Sequence, residues 1–155
     1  MKIIFSLIIT FLTVAAMSQN PLHEHIAKRA IEIEDEVIQL RRHYHQYPEL
    51  SNREVKTAEH IAGQLRELGL EVETGIAVTG VVGLLDTGKP GPTLGLRADI
   101  DGLPVAERVD LPFASKERTT FLGEDVGIMH ACGHDTHIAM LLGAARILTE
   151  MKDQL

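Results

Sequence analysis

The sequence predicts an α/β fold, present in these 155 residues as the first part of a larger domain. Three observations carry that expectation. Two segments before residue 69 repeat apolar residues at helical spacing, three short apolar runs follow between residues 70 and 98, and the last helix is apolar almost all round. The composition, 45% apolar and 24% charged, is that of a globular chain rather than a disordered one.

From Glu24 to Tyr47, Ile26, Ala30, Ile33, Val37 and Leu40 recur three and four apart and predict one amphipathic helix, which Pro48 ends. Ser51 and Glu54 have the spacing of a capping box. A second helix follows them, with Ala58, Ile61, Ala62, Leu65 and Leu68 on one side and Gly69 as its stop. The runs Leu70–Thr74, Gly80–Leu85 and Thr93–Ala98 read as strands. Asp86–Gly91 is turn chemistry that would make the last two a hairpin or neighbours. Residues 100–125, polar and containing Pro104 and Pro112, read as irregular. The final helix is expected from Asp135 to Lys152. Between Ile138 and Leu148 only Arg146 is charged, so this helix should be buried on more than one side, and the 155 residues offer little to cover it.

Fifteen Lys and Arg against 22 Asp and Glu give a formal charge of −7, which argues against a nucleic-acid partner, since phosphate binding needs clustered cations. One cysteine excludes an internal disulfide framework. Met1-Lys2, the uncharged stretch Ile3–Met17 and the small residues Ala15, Ala16 and Ser18 match a secretory signal cleaved after Ser18. The stretch is shorter than the roughly 20 apolar residues that span a bilayer. The expected organisation is therefore a signal peptide over 1–18 and the N-terminal part of a larger α/β domain over 19–155. The mature protein is expected in a periplasm or outside the cell, without stable membrane insertion.

The histidines locate the chemistry. Three of the eight, His130, His134 and His137, fall in the octet His130-Ala131-Cys132-Gly133-His134-Asp135-Thr136-His137, together with the only cysteine. Were this segment extended, His130, Cys132 and His134 would share one face, and Gly133 would leave room for an approaching ion. Thiolate beside imidazole suits zinc or a similar transition metal. Asp135, where the helix begins, could cap it, orient a liganding histidine or bind metal itself. A second acidic group, Asp99 and Asp101 in Arg97-Ala98-Asp99-Ile100-Asp101-Gly102-Leu103-Pro104, lies at the end of a predicted strand, where open α/β sheets collect ligands. It offers either hard oxygen donors or a solvated turn in which Arg97 pairs with one Asp.

Arg97–Glu107, Met129–Ala145 and, upstream, Arg41-Arg42 with His45-Gln46-Tyr47-Pro48-Glu49-Leu50-Ser51 resemble the amidohydrolase branch of the aminoacylase-type metallopeptidases. Hippurate hydrolases, N-acyl-amino-acid amidohydrolases and auxin-conjugate hydrolases belong to that branch. The resemblance spans about Arg41 to Leu148. It implies a three-layer zinc-exopeptidase-like catalytic domain with a mixed, mostly parallel sheet, incomplete in these residues. It also implies hydrolysis of the amide bond of a small N-acyl amino acid by water activated at two divalent ions, zinc or manganese, with nickel or cobalt as alternatives. Cys132 and His134 match the family's first two metal ligands. Asp99-x-Asp101 overlies the wider superfamily's His-x-Asp, so that Asp101 would be the orienting carboxylate and Asp99 would stand at a ligand position. His45 and His130 match family positions and are read as supporting residues.

The family's general-base Glu, its other ligands and its dimerisation domain have no match here, the only Glu past Asp125 being Glu150. Three readings follow. The chain is the N-terminal part of a secreted, homodimeric metallo-amidohydrolase and inactive by itself; or a non-catalytic remnant or interaction module with a partial metal site; or part of a metal-dependent exopeptidase or dipeptidase.

Overall fold

The structure, a computed structural model, describes residues 21–155; the expected signal peptide, residues 1–18, lies outside them. The chain divides into one unit ending at Ile33 and a second, Glu34–Leu155. The described part of the first is helix α1 (Pro21–Glu32). The second contains α2 (Glu34–Gln46), α3 (Val55–Glu67), β1 (Glu71–Ile76), β2 (Gly80–Leu84), β3 (Arg118–Phe121), β4 (Glu124–Gly127) and α4 (His134–Glu150), closed by a short 3₁₀ turn. The single helix expected over Glu24–Tyr47 is thus two, interrupted at Ile33 with no proline or glycine to mark the break. No helix among the described residues is long and apolar enough to cross a membrane.

Helix α2 opens on Glu34, Asp35 and Glu36, whose charges suit the positive end of the helix dipole, and closes on His43 and His45. Pro48 disfavours helical geometry at Tyr47, and the helix stops at Gln46. The 37–40 spacing of apolar residues runs on to Tyr44, which is almost fully buried. The capping box does not form. The residue before α3 is Glu54, whose side chain makes no cap and accepts instead from Thr79 Oγ1 at 2.7 Å. Glu49 Oε2 takes over, accepting from the Thr57 N–H (2.8 Å) and Oγ1 (2.9 Å) in the first turn of α3. At the other end the Gly69 N–H donates to Arg66 O and the Leu70 N–H to Leu65 O, the paired bonds of a Schellman motif, so the expected stop holds.

Strands β1 and β2 pair antiparallel, with Thr74 opposite Val81 and an irregularity before Ile76. The strand expected over Thr93–Ala98 is absent, and the Asp86–Gly91 turn does not build a hairpin. An Asx turn does form there, the Gly88 N–H donating to Asp86 Oδ1 at 2.8 Å. Strand geometry needs a neighbour to take its backbone groups. Among the described residues none runs beside 93–98, and Leu94 stays 81% exposed. Conversely, β3 and β4 form a hairpin inside the segment read as irregular. It turns on Leu122-Gly123, both at positive φ (51° and 88°), the type I′ geometry more often written Asn-Gly. The described residues thus supply antiparallel pairs and one parallel bridge, Leu50 with Gly102, as parts of the mixed α/β architecture.

The core gathers Tyr44 of α2, Ile61 of α3 and Ile138 and Leu142 of α4, flanked by Leu40, Leu65, Val81 and Ile100. Arg146, the one charge in the middle of α4, pairs with Glu36 of α2 at 2.7 Å. Helix α4 is buried along Ile138, Ala139, Leu142, Gly143 and Ile147, while Met140 remains 55% exposed, so one flank is open.

Beside this core the rings of His43 and His60 lie 4.6 Å apart, and Tyr44 Oη shares a 2.8 Å hydrogen bond with His60 Nδ1. Partial burial, and then the neighbouring charge of His60, lower the His43 pKa below its ordinary 6.5. The folded state therefore binds the His43 proton less readily than the unfolded chain does. This contribution to stability is complete above about pH 6.5 and is lost as pH falls through the interval below it. The urea midpoint should drop between pH 7.5 and 5.5, and His43→Asn should flatten that drop. An identical pH dependence in the variant would contradict the assignment.

Candidate metal centre

Two chain segments meet to form the site. Residues 99–103 follow the strandless stretch 93–98, and 129–137 run from the end of the β3–β4 hairpin into α4. They are joined by an antiparallel bridge in which the Leu103 N–H donates to Met129 O (2.9 Å) and the Met129 N–H to Leu103 O (3.1 Å). The Gly102 N–H donates to Glu49 O at 2.7 Å and ties the same place to the chain after α2.

The octet is not extended. The Gly133 N–H folds back on His130 O, and Gly133 sits at φ 77°, a left-handed conformation that starts α4. Gly133 thus supplies a backbone angle that L side chains rarely adopt, and the space where its Cβ would stand is open. The turn also breaks the expected common face: His130 is buried, whereas Cys132 is exposed. Among the described residues neither His130 ring nitrogen has a hydrogen-bond partner. Burial lowers the pKa of His130, with Asp135 pulling the other way, so the ring is held toward its neutral form.

Helix α4 places His134 and His137 one turn apart, ring centroids 5.4 Å from each other. Asp99, His134 and His137 each present a donor atom, all within 4.8 Å of one another, the one such group among the described residues. His134 Nδ1 lies 2.9 Å from Asp101 Oδ1 and 3.0 Å from Asp101 O. A backbone carbonyl can only accept, so Nδ1 carries the proton and Nε2 is the lone-pair nitrogen, as metal ligation requires. Arg97 binds Asp99 Oδ1 through Nη2 (2.6 Å) and Nε (3.1 Å), and the guanidinium holds the Asp99 carboxyl below the ordinary carboxylate range. The Arg97–Asp pairing weighed for this motif therefore exists, and it keeps Asp99 ionised within the donor group. Two imidazoles and a carboxylate fit a divalent transition ion.

Cys132 Sγ is outside this group, and so is Asp135. The Asp135 carboxylate is taken by Arg41 Nε at 2.9 Å and His45 Nδ1 at 2.8 Å. Sequence reasoning gave His137 no role, although its position three residues after His134 at a helix start was a usable signal. It could not have shown that Arg41 and His45 converge on Asp135 and that His45 also reaches Glu107, because these residues are far apart in the chain.

Residues 95–155 match peptidase family M20/M25/M40. Thermostable carboxypeptidase 1 of Saccharolobus solfataricus is 51% identical over 133 residues, covering 85% of this chain and 32% of that protein. The N-acyl-L-amino acid amidohydrolase of Geobacillus stearothermophilus is 39% identical over 132 residues, covering 85% and 34% respectively. Among solved structures, the Bacillus subtilis YXEP protein, a dinuclear metal-binding peptidase of family M20, superposes with a TM-score of 0.70 at 38% identity over 80% of this chain and 33% of its own. The chain resembles the M20 family over this span. It spans about a third of the length of these relatives, and its mixed helix–strand fold matches theirs over that span. The M20 relatives are hydrolases, both peptidases and amidohydrolases, and the structural neighbour binds two metal ions.

Proposed function

We propose that this chain is the metal-binding N-terminal part of a hydrolase that cuts the amide bond of an N-acyl amino acid. The observation that carries this reading is the Asp99, His134 and His137 donor group, with His134 oriented by Asp101. Asp99, His134 and His137 would hold one divalent ion, and the family resemblance adds Cys132 beside His134. Zinc or manganese are the ions proposed, with nickel or cobalt as alternatives. Such an ion supplies Lewis acidity for attack of water on an amide carbonyl. Asp101 fixes the tautomer and ring plane of His134, and Arg97 keeps Asp99 anionic. The general base, the second ion's remaining ligands and a dimerisation domain would come from the rest of a longer protein. We further propose that residues 1–18 direct secretion and that the complete enzyme is a homodimer.

The carboxypeptidase at 51% identity supports a second reading, cleavage of the C-terminal residue of a peptide. Both substrates present an amide nitrogen belonging to an amino acid with a free α-carboxylate, so one centre suits both. Assaying the complete metal-loaded protein on N-acetyl and N-benzoyl amino acids against dipeptides separates them. Faster turnover of the N-acyl compounds is expected, and activity confined to peptides would transfer the assignment to the second reading. Cys132→Ser should lower bound metal, because an un-ionised hydroxyl replaces a thiolate. Unchanged metal content by elemental analysis would remove Cys132 from the ligands.

A further inference from the structure

The turn that carries Cys132 and His134 is fastened at both ends to one imidazole. His45, at the end of α2 and 6% exposed, places Nδ1 at 2.8 Å from Asp135 Oδ2 and Nε2 at 2.8 Å from Glu107 Oε1. The Asp135 and Glu107 side chains are each only 1% exposed. Asp135 follows His134 directly and fixes the first turn of α4. Glu107 leads to the other end: its second oxygen accepts from the Ser115 N–H, and Ser115 Oγ donates to Ile128 O at 2.7 Å, one residue before the Leu103–Met129 bridge. The Phe113 ring lies edge-on to His45 at 5.7 Å, and Arg41 reaches Asp135 from outside. Two carboxylates this deep require partners, and His45 is the one side chain that touches both.

We propose that His45 is a positioning residue for the metal centre: by bridging Asp135 and Glu107 it sets the turn 129–135, and with it His134 and His137, against Asp99 and Asp101. The proposal rests on the metal reading above. Imidazole is suited to the task because it offers nitrogens on opposite sides of one rigid ring. Glutamine carries both of its N–H donors on one nitrogen, which cannot reach carboxylates on opposite sides of the ring position, so one of them loses its anchor.

The test is a Co²⁺ titration of the complete metal-free protein, followed by visible absorption, with amide hydrogen exchange measured before metal is added. His45→Gln should bind Co²⁺ about tenfold more weakly, with altered d–d bands, at the low end of what loss of supporting hydrogen bonds costs a metal site. Exchange should quicken over residues 129–137 and stay unchanged in α3. A folded variant with wild-type Co²⁺ affinity, band shape and exchange would overturn the proposal and leave the metal reading standing. A wild-type protein that takes up no Co²⁺ would overturn both. If His45→Gln does not fold, Glu107→Gln, which keeps shape and volume, decides between the same outcomes.

Discussion

His134→Ala is expected to reduce the protein's affinity for a divalent ion by roughly 100-fold. His134 belongs to the Asp99–His134–His137 group and also to the Cys132–His134 pair of the family resemblance, so no arrangement of ligands in this segment spares it. A four-ligand zinc site gains about 10–16 kcal/mol on binding, so one ligand is worth on the order of 3 kcal/mol, about two decades in affinity. The substitution also strands the Asp101 carboxylate, which loses its 2.9 Å contact with Nδ1. Asp101→Asn separates the two effects. It keeps an oxygen that can accept from Nδ1 but removes the negative charge, and should weaken binding by about tenfold. Isothermal titration with Zn²⁺ or Co²⁺ reads both, and equal, small losses in the two variants would show that His134 is not a ligand.

Gly102→Ala should lower stability and metal affinity together. Its Cβ would stand 2.9 Å from Pro48 Cβ, 3.0 Å from Ile128 Cγ2 and 3.3 Å from Glu49 O. Pro48 is fully buried, Ile128 is in the core, and the Gly102 N–H donates to Glu49 O at 2.7 Å. The backbone therefore cannot retreat without breaking that bond. Overpacking of this kind costs about 1–3 kcal/mol, a fall in Tm of roughly 2–4 °C for each kcal/mol in a domain of this size. Displacing Gly102 also moves Asp101, its neighbour in the chain, so metal affinity should fall with stability. Gly95→Ala is the control, since nothing lies within 4 Å of its Cβ and its φ is unexceptional. It should leave both quantities unchanged. A Gly102→Ala protein with wild-type Tm would mean that Pro48 or Ile128 yields more readily than their packing suggests.

These two positions differ in how far they could be read in advance. His134 stands out in the sequence, because a histidine beside a lone cysteine at a predicted helix start is a local pattern. Asp101 was legible as an orienting carboxylate only through the family resemblance, and its Oδ1 lies 2.9 Å from His134 Nδ1. The need for glycine at 102 was invisible, since the atoms that crowd it belong to residues 48, 49 and 128. The strand expected at 93–98 and the hairpin at 118–127 went astray in opposite directions for one reason. An apolar run says that a segment could be a strand, but only a neighbour with free backbone groups makes it one.

By itself the sequence determined the local events: helices α3 and α4, the stop at Gly69, strands β1 and β2, and a concentration of metal-binding side chains around residue 134. Each depends on periodicity or on chemistry within a few residues. The tertiary structure alone decided which donors converge. It brought Asp99 to His137, left Cys132 exposed and committed Asp135 to Arg41 and His45. The physical reason is burial: a carboxylate removed from water takes whichever cation or N–H the fold brings within reach, and here that partner is 90 residues away in the chain.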